Sequence, residues 1–203
     1  FRIDLENNSK DHRIRVLFPS KIKSKKVDSD GHFYVISREV DMPKSERWAQ
    51  QPVPTNHQKD FVSVNDTSRT FSVINKGLPE YEAVINKDGT ISLAITLLRC
   101  NEWLSRHDFI SRRSNAGPDL NTPEAQCLGK HTFELSLVIE GNKPNWLDSN
   151  AHIKGKEFNN PFEVVVPSIV RTSIRASNKV VLAPFGLISY FKPATSQPLK
   201  PYL

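Results

Sequence analysis

Apolar and polar residues alternate with a period of two along much of the chain, the pattern of strands that bury one face. HRIRVLF at 12–18 places Ile14 and Val16 on one face, and Pro19 with the lysine run that follows is read as ending that strand. HFYVISREV at 32–40 is rich in aromatic and β-branched residues and predicts a second strand. The stretch 41–59 carries Pro43, Pro52 and Pro54 among polar residues and reads as an irregular crossing loop. FVSVND at 61–66 and TFSVINKG at 70–77, separated by a turn at Asp66–Ser68, predict a hairpin. A second hairpin follows, with YEAVIN at 81–86, the Asp88-Gly89 turn signal and TISLAITLLRC at 90–100. The apolar run in that last strand is too continuous for a strand with one wet face, so both of its faces are expected to be covered, with Ile95 and Leu97 buried together.

Further along, HTFELSLVIE at 131–140 alternates again, with Phe133, Leu135 and Leu137 on one face. NWLDSNAHIKGKEF at 145–158 is the best short helix despite Gly155. Three more strand-like runs, at 162–167, 168–176 and 180–191, close the pattern. The elements add up to an all-β fold, a β-sandwich with long loops and one short helix, expected to form a single domain over residues 1–203.

Composition supports that picture and narrows the function classes. The chain has 203 residues, 37% hydrophobic and 25% charged, enough for one sizeable core in a soluble globular domain. Fourteen prolines against eight glycines suit strands punctuated by turns. The net charge of +6 raises the question of nucleic acid, but the basic residues are scattered. The one dense run, Lys21 to Lys26, has no interleaved aromatics on which bases could stack, so it is read as a solvated loop and no nucleic-acid partner is expected. No window approaches the roughly 18 apolar residues of a membrane span, and FRIDLENNSKDHR lacks the apolar heart of a signal peptide. Cys100 and Cys127 make no zinc or redox spacing, and read as reduced thiols of a cytoplasmic protein. A chain that starts at Phe1 is also read as an excerpt of something longer.

Glu80 and Glu82 look at first like a catalytic carboxylate pair. At i and i+2 on a strand they share a face, with Cα atoms about 6.5–7 Å apart. That distance suits a glycosidase, yet the two acids of a glycosidase must flank a scissile bond from opposite sides. Two neighbours on one strand flank nothing, so no catalytic residue is assigned. The six histidines form no HxH, HExxH or HxD pattern, which leaves no metal site to assign either.

A series of motifs carries a more specific signal. GLPEYE at 77–82, DGTISLAITLLRC at 88–100, WLSR at 103–106, SRRSNAGP at 111–118 and TPEAQCLGKHTFELSL at 122–137 occur in that order. Together with HRIRVLFPS, HFYVISREV and NWLDSNAHIKGKEFNNPF, they resemble the C-terminal β domain of glycoside hydrolase family 38 α-mannosidases of bacterial and archaeal type. The resemblance covers residues 12–162. It implies a supersandwich of the galactose-mutarotase kind, and a catalytic (β/α) barrel upstream that holds the aspartate nucleophile and a zinc ion. No cofactor is expected in this segment itself. It also implies that the segment 111–126 lies near the rim of the sugar pocket. There Arg112 or Arg113, which point to opposite faces of an extended backbone, would bind substrate with Asn115. GLPEYE is then scaffold: Gly77 permits a positive φ, Pro79 fixes the corner and Tyr81 enters the core. Trp48, Trp103 and Trp146 are each read either as core residues or as platforms for a sugar face. The expected partners are the upstream barrel and an α-mannoside, with no membrane, and a homo-oligomer stays open. The competing reading is a free-standing carbohydrate-binding or interaction module.

Overall fold

The computed structural model describes residues 1–44, 46–108, 112, 114–161, 181–182 and 188–189. The chain divides into two units, Phe1–Asn160 and Pro161–Leu203. In the second, Val181–Leu182 pairs antiparallel with Ile188–Ser189. The rest of the three late strand-like runs lies outside the described residues.

The first unit is a β-sandwich of two antiparallel sheets. Its strands are β1 (Arg2–Asn7), β2 (Arg13–Ile22), β3 (Lys26–Asp30), β4 (Val35–Glu39), β5 (Thr55–His57), β6 (Phe61–Asn65), β7 (Arg69–Asn75), β8 (Glu80–Ile85), β9 (Ile91–Arg99) and β10 (Gly129–Gly141). One sheet has the order β1-β10-β7-β6-β3-β4, the other β2-β9-β8-β5. Val62, Val64, Phe71, Val73 and Leu135 from the first sheet meet Leu78, Tyr81, Leu93, Ile95 and Leu97 from the second in one buried cluster. Period-two alternation produces this directly, since every second residue of each strand turns to the facing sheet.

Helix α1 (Ala151–Asn159) packs on the outer face of the larger sheet. It starts later than the sequence pattern suggests. The Asn145 side-chain oxygen accepts from the Leu147 and Asp148 amides at 2.9 Å each, which holds 145–150 as a turn. Asn150 then takes a left-handed φ of 56° before the helix begins. Gly155 lets the helix approach strand β6: a Cβ there would lie 3.3 Å from the Asp60 Cβ and 3.7 Å from the Phe61 ring. Lys156 fixes the same approach with an ion pair to Asp60 at 2.5 Å.

Four strands depart from the sequence reading, and all lie at edges or are short. Strand β2 runs through Pro19 to Ile22, with a register shift there. It is the edge strand of its sheet, where a missing N–H costs no ladder bond. Strand β3 begins inside the lysine run, and β1 uses the charged first residues, again on a sheet edge. Within the crossing loop, residues 55–57 form β5, a three-residue edge strand against β8.

One half-buried acid has a stability consequence. Burial raises the Asp28 carboxyl pKa above the ordinary aspartate value, opposed by a hydrogen bond from Ser37 and by Lys26. Ionised Asp28 therefore costs stability, and the cost grows as pH rises from the unfolded-chain pKa through the raised folded value. Asp28→Asn is expected to raise the unfolding temperature at neutral pH, with the gain vanishing as pH falls below the ordinary aspartate range. Thermal melts across that range check it, and an equal gain at every pH would sink the assignment.

Candidate functional site

Glu80 and Glu82 project from the outer face of the smaller sheet. Both meet arginines of β2, although β9 lies between the two strands. The reach is possible because β9 presents small residues there: Ala94 is opposite Glu82, and Thr96 is opposite Arg15. Two strand spacings amount to about 9.6 Å, which an arginine spans over a small side chain. Arg13 bonds Glu80 at 3.4 Å and approaches Glu82 at 3.5 Å, while Arg15 pairs with Glu82. The Thr96 hydroxyl donates to Glu80 at 2.7 Å. Arg99 adds a looser contact to Glu80 at 3.8 Å. Both carboxylates thus serve an ion-pair ladder that roofs the outer face of β9, which explains why eight of that strand's nine residues are buried. The sequence shows the carboxylates but not their partners, which lie 67 residues away.

The ladder ends at an open cleft of about 1120 Å³. Strands supply Arg13, Glu80 and Arg99, the segment after β9 supplies Trp103 and Arg112, and the loop before β5 supplies Gln50. The segment after β9 is irregular but well tied. Trp103 bridges to Asn121, the Leu104 amide donates to the Leu120 carbonyl at 2.9 Å, and the Thr122 amide to the Glu102 carbonyl at 2.5 Å. Its far end is anchored by a 3-10 helix, Pro123–Gln126. The Gln126 side chain accepts from the Asp11 amide at 2.8 Å and donates to the Asp11 carboxylate at 2.7 Å. Asn7 donates to the Gln126 and Cys127 carbonyls and, at 3.4 Å, to the Cys100 sulfur. Cys100 is buried, and that burial pushes its thiol pKa up, which disfavours the reactive thiolate.

The residues expected to bind substrate fare differently. Arg112 lines the cleft, donating to the Ser114 carbonyl at 2.5 Å and to the Gln50 side chain at 3.3 Å. Asn115 is exposed on the same segment. Arg113 lies outside the described residues. Of the tryptophans, Trp146 takes a core role, with its ring 6.1 Å from that of Phe61. Trp48 and Trp103 stay 44% and 38% exposed, so neither is a core residue. Sequence reading passed over Arg99, whose place at the end of a predicted core strand was its only signal. Among the described residues, no group of three or more His, Cys, Asp or Glu is arranged to hold a metal ion. No helix among them is long and apolar enough to cross a membrane.

No family model matches the chain. A putative mannosylglycerate hydrolase of Halalkalibacterium halodurans is 29% identical over 171 residues, which cover 84% of this chain and 16% of that protein. Two solved structures share the fold. An α-mannosidase from Enterococcus faecalis V583 superposes with a TM-score of 0.62 at 28% identity, covering 79% of this chain and 16% of its own. A glycosyl hydrolase family 38 protein from Enterococcus faecalis gives 0.60 at 29%, with the same coverage. The chain spans about one sixth of the length of these relatives, and they are the family that its motifs resemble.

Proposed function

We propose that this chain, similar to one sixth of a family 38 glycoside hydrolase, is the non-catalytic β domain of an α-mannosidase. The catalytic nucleophile and a zinc ion would then belong to an upstream barrel. No cluster among this chain's described residues has the ligand set for that metal. The β domain supports the barrel and supplies one wall of the sugar pocket through the segment 111–126. The observation that carries this reading is the cleft itself, which brings Arg112, expected at the pocket rim, onto the same surface as Trp103 and Arg99. An arginine fork suits that place because its planar donors bridge two oxygens of a sugar or of a carboxylate. The Halalkalibacterium relative is named for a mannoside of glycerate, and a carboxylate-bearing aglycone is the substrate class we favour. Two free thiols, one buried, support a cytoplasmic setting.

Two results are expected. The 203-residue chain alone turns over no aryl α-mannoside, with or without zinc, and turnover above a buffer blank would overturn the non-catalytic assignment. In the full-length enzyme, Arg112→Ala and Arg113→Ala are expected to differ sharply, because adjacent residues of extended backbone face opposite ways. One variant loses about 10- to 100-fold in kcat/KM, which is about 1.4–2.7 kcal/mol of transition-state binding, while its unfolding temperature barely moves. Equal small effects on both would leave the segment as scaffold.

A further inference from the structure

The cleft's lining is charged unevenly: four arginines, Arg13, Arg99, Arg106 and Arg112, stand against Asp11, Glu80 and Glu102. Three of the four are each held by neighbours, Arg13 and Arg106 by carboxylates and Arg112, at the rim, by neutral oxygens. Arg13 serves Glu80 and Glu82, Arg106 is chelated by Asp108, and Arg112 is tied to Gln50 and Ser114. Arg99 differs. Its side chain is 65% exposed and its ion contact to Glu80 is loose, at 3.8 Å. In the amide orientation of Asn101 that satisfies both of its polar atoms, the Arg99 Nε donates to the Asn101 oxygen at 3.2 Å. That bond holds the guanidinium by its inner nitrogen and leaves terminal N–H donors for a ligand. Arg99 also sits at the end of the most buried strand of its sheet, so its backbone is fixed.

Four residues on, Trp103 lines the same cleft, and the residue is 38% exposed. Its backbone is pinned by the bridge to Asn121, so the ring stands on ordered chain. An indole offers a flat apolar face with little entropy to lose, which suits the C–H face of a pyranose. The cleft is open and bordered by charge, unlike the enclosed pockets that take drug-like molecules. A hydrophilic ligand fits it better.

We propose that this cleft is a binding site for an acidic saccharide, with the sugar face on Trp103 and a carboxylate on the Arg99 fork. This rests on the reading of the cleft as a sugar site and deepens it, but its test needs only this chain, so its failure is distinguishable from that of the mannosidase assignment. Specificity comes from the arginine, since a planar fork pairs two carboxylate oxygens and a neutral hydroxymethyl offers one. Glu80 sets the strength: it neutralises part of the Arg99 charge and keeps the site from trapping every small anion.

Isothermal titration of the 203-residue chain with glucuronate, glucose and acetate tests this. Glucuronate is expected to bind at least about tenfold more tightly than either glucose or acetate. Arg99→Gln brings glucuronate to the level of glucose, and Arg99→Lys, which keeps the charge without the fork, restores only part of the preference. Trp103→Ala weakens glucuronate and glucose together, and Trp103→Phe, the milder change, retains most of the binding. Unfolding temperatures of the four variants identify any that fail to fold, and the conservative member of each pair then decides. Equal binding of glucuronate and glucose, a preference that survives Arg99→Gln, or acetate binding as tightly as glucuronate would each overturn the proposal.

Discussion

Phe61→Ala is expected to lower the unfolding free energy of the chain by about 3–5 kcal/mol, the range for deleting a fully buried aromatic ring. Phe61 is 0% exposed and opens β6 on the face away from the sandwich interior. There it is the hub of a second, smaller core with Ile74, Val138 and Ala151, backed by Trp146 and Phe158. Besides this cluster, helix α1 is held by polar contacts: the Lys154–Glu140 ion pair and an Asn159 bond to the Asn75 carbonyl, in addition to Lys156–Asp60. Its own sequence is weakly amphipathic, and only Ala151 and Gly155 are buried along it. Without the ring, the Lys156–Asp60 ion pair stays, but its lysine is more than half exposed and such pairs contribute little. Urea unfolding followed by circular dichroism gives the free energy. A loss below about 1 kcal/mol would mean that the helix is held by something other than this contact.

Legibility followed burial. The central strands β6, β7, β8 and β9 announce themselves because two-sided packing demands β-branched and apolar residues in alternation or in runs. Phe133, Leu135 and Leu137 share a face as their spacing requires, and all three join the main core. Gly77 and Gly89 take φ of 75° and 79° at the turns where the sequence puts them. Edge strands hide for the opposite reason. Arg2–Asn7 carries charges on its wet face, as does Lys26–Asp30, a short strand next to the other edge, and local composition cannot tell such strands from a solvated loop. The site is harder still. Arg112 drew attention through its neighbours in the motif, whereas Arg99 looked like the polar end of a core strand. The cleft is lined by residues from distant parts of the chain, among them the segment after β9, so no local pattern announces it. Glu80 illustrates the same limit: its side chain is plain in the sequence, but what it does depends on an arginine two strands away.

The smaller sheet depends most on Ile95. It is 0% exposed at the middle of β9, flanked by β2 and β8, with Val16 opposite on one side and Tyr81 on the other. Its side chain enters the main cluster beside Leu93 and Leu97, so Ile95→Ala leaves a void bounded by both sheets. A loss of about 2–5 kcal/mol is expected, because the outer face of the strand cannot relax to fill it. That face is occupied by the charged ladder, where Thr96 is bonded to Glu80 and Arg15 crosses to Glu82. Moving β9 inward would stretch the Thr96–Glu80 bond and open a gap beneath the Arg15–Glu82 pair, and a carboxylate that loses a partner there would be left partly buried and underbonded. Ile95→Val, which removes one methylene, is expected to cost only about 0.5–1.5 kcal/mol. Chemical denaturation of the two variants separates the void from the shape of the side chain. If alanine costs no more than valine, the strand is able to collapse, and the ladder is not the rigid roof that its geometry implies.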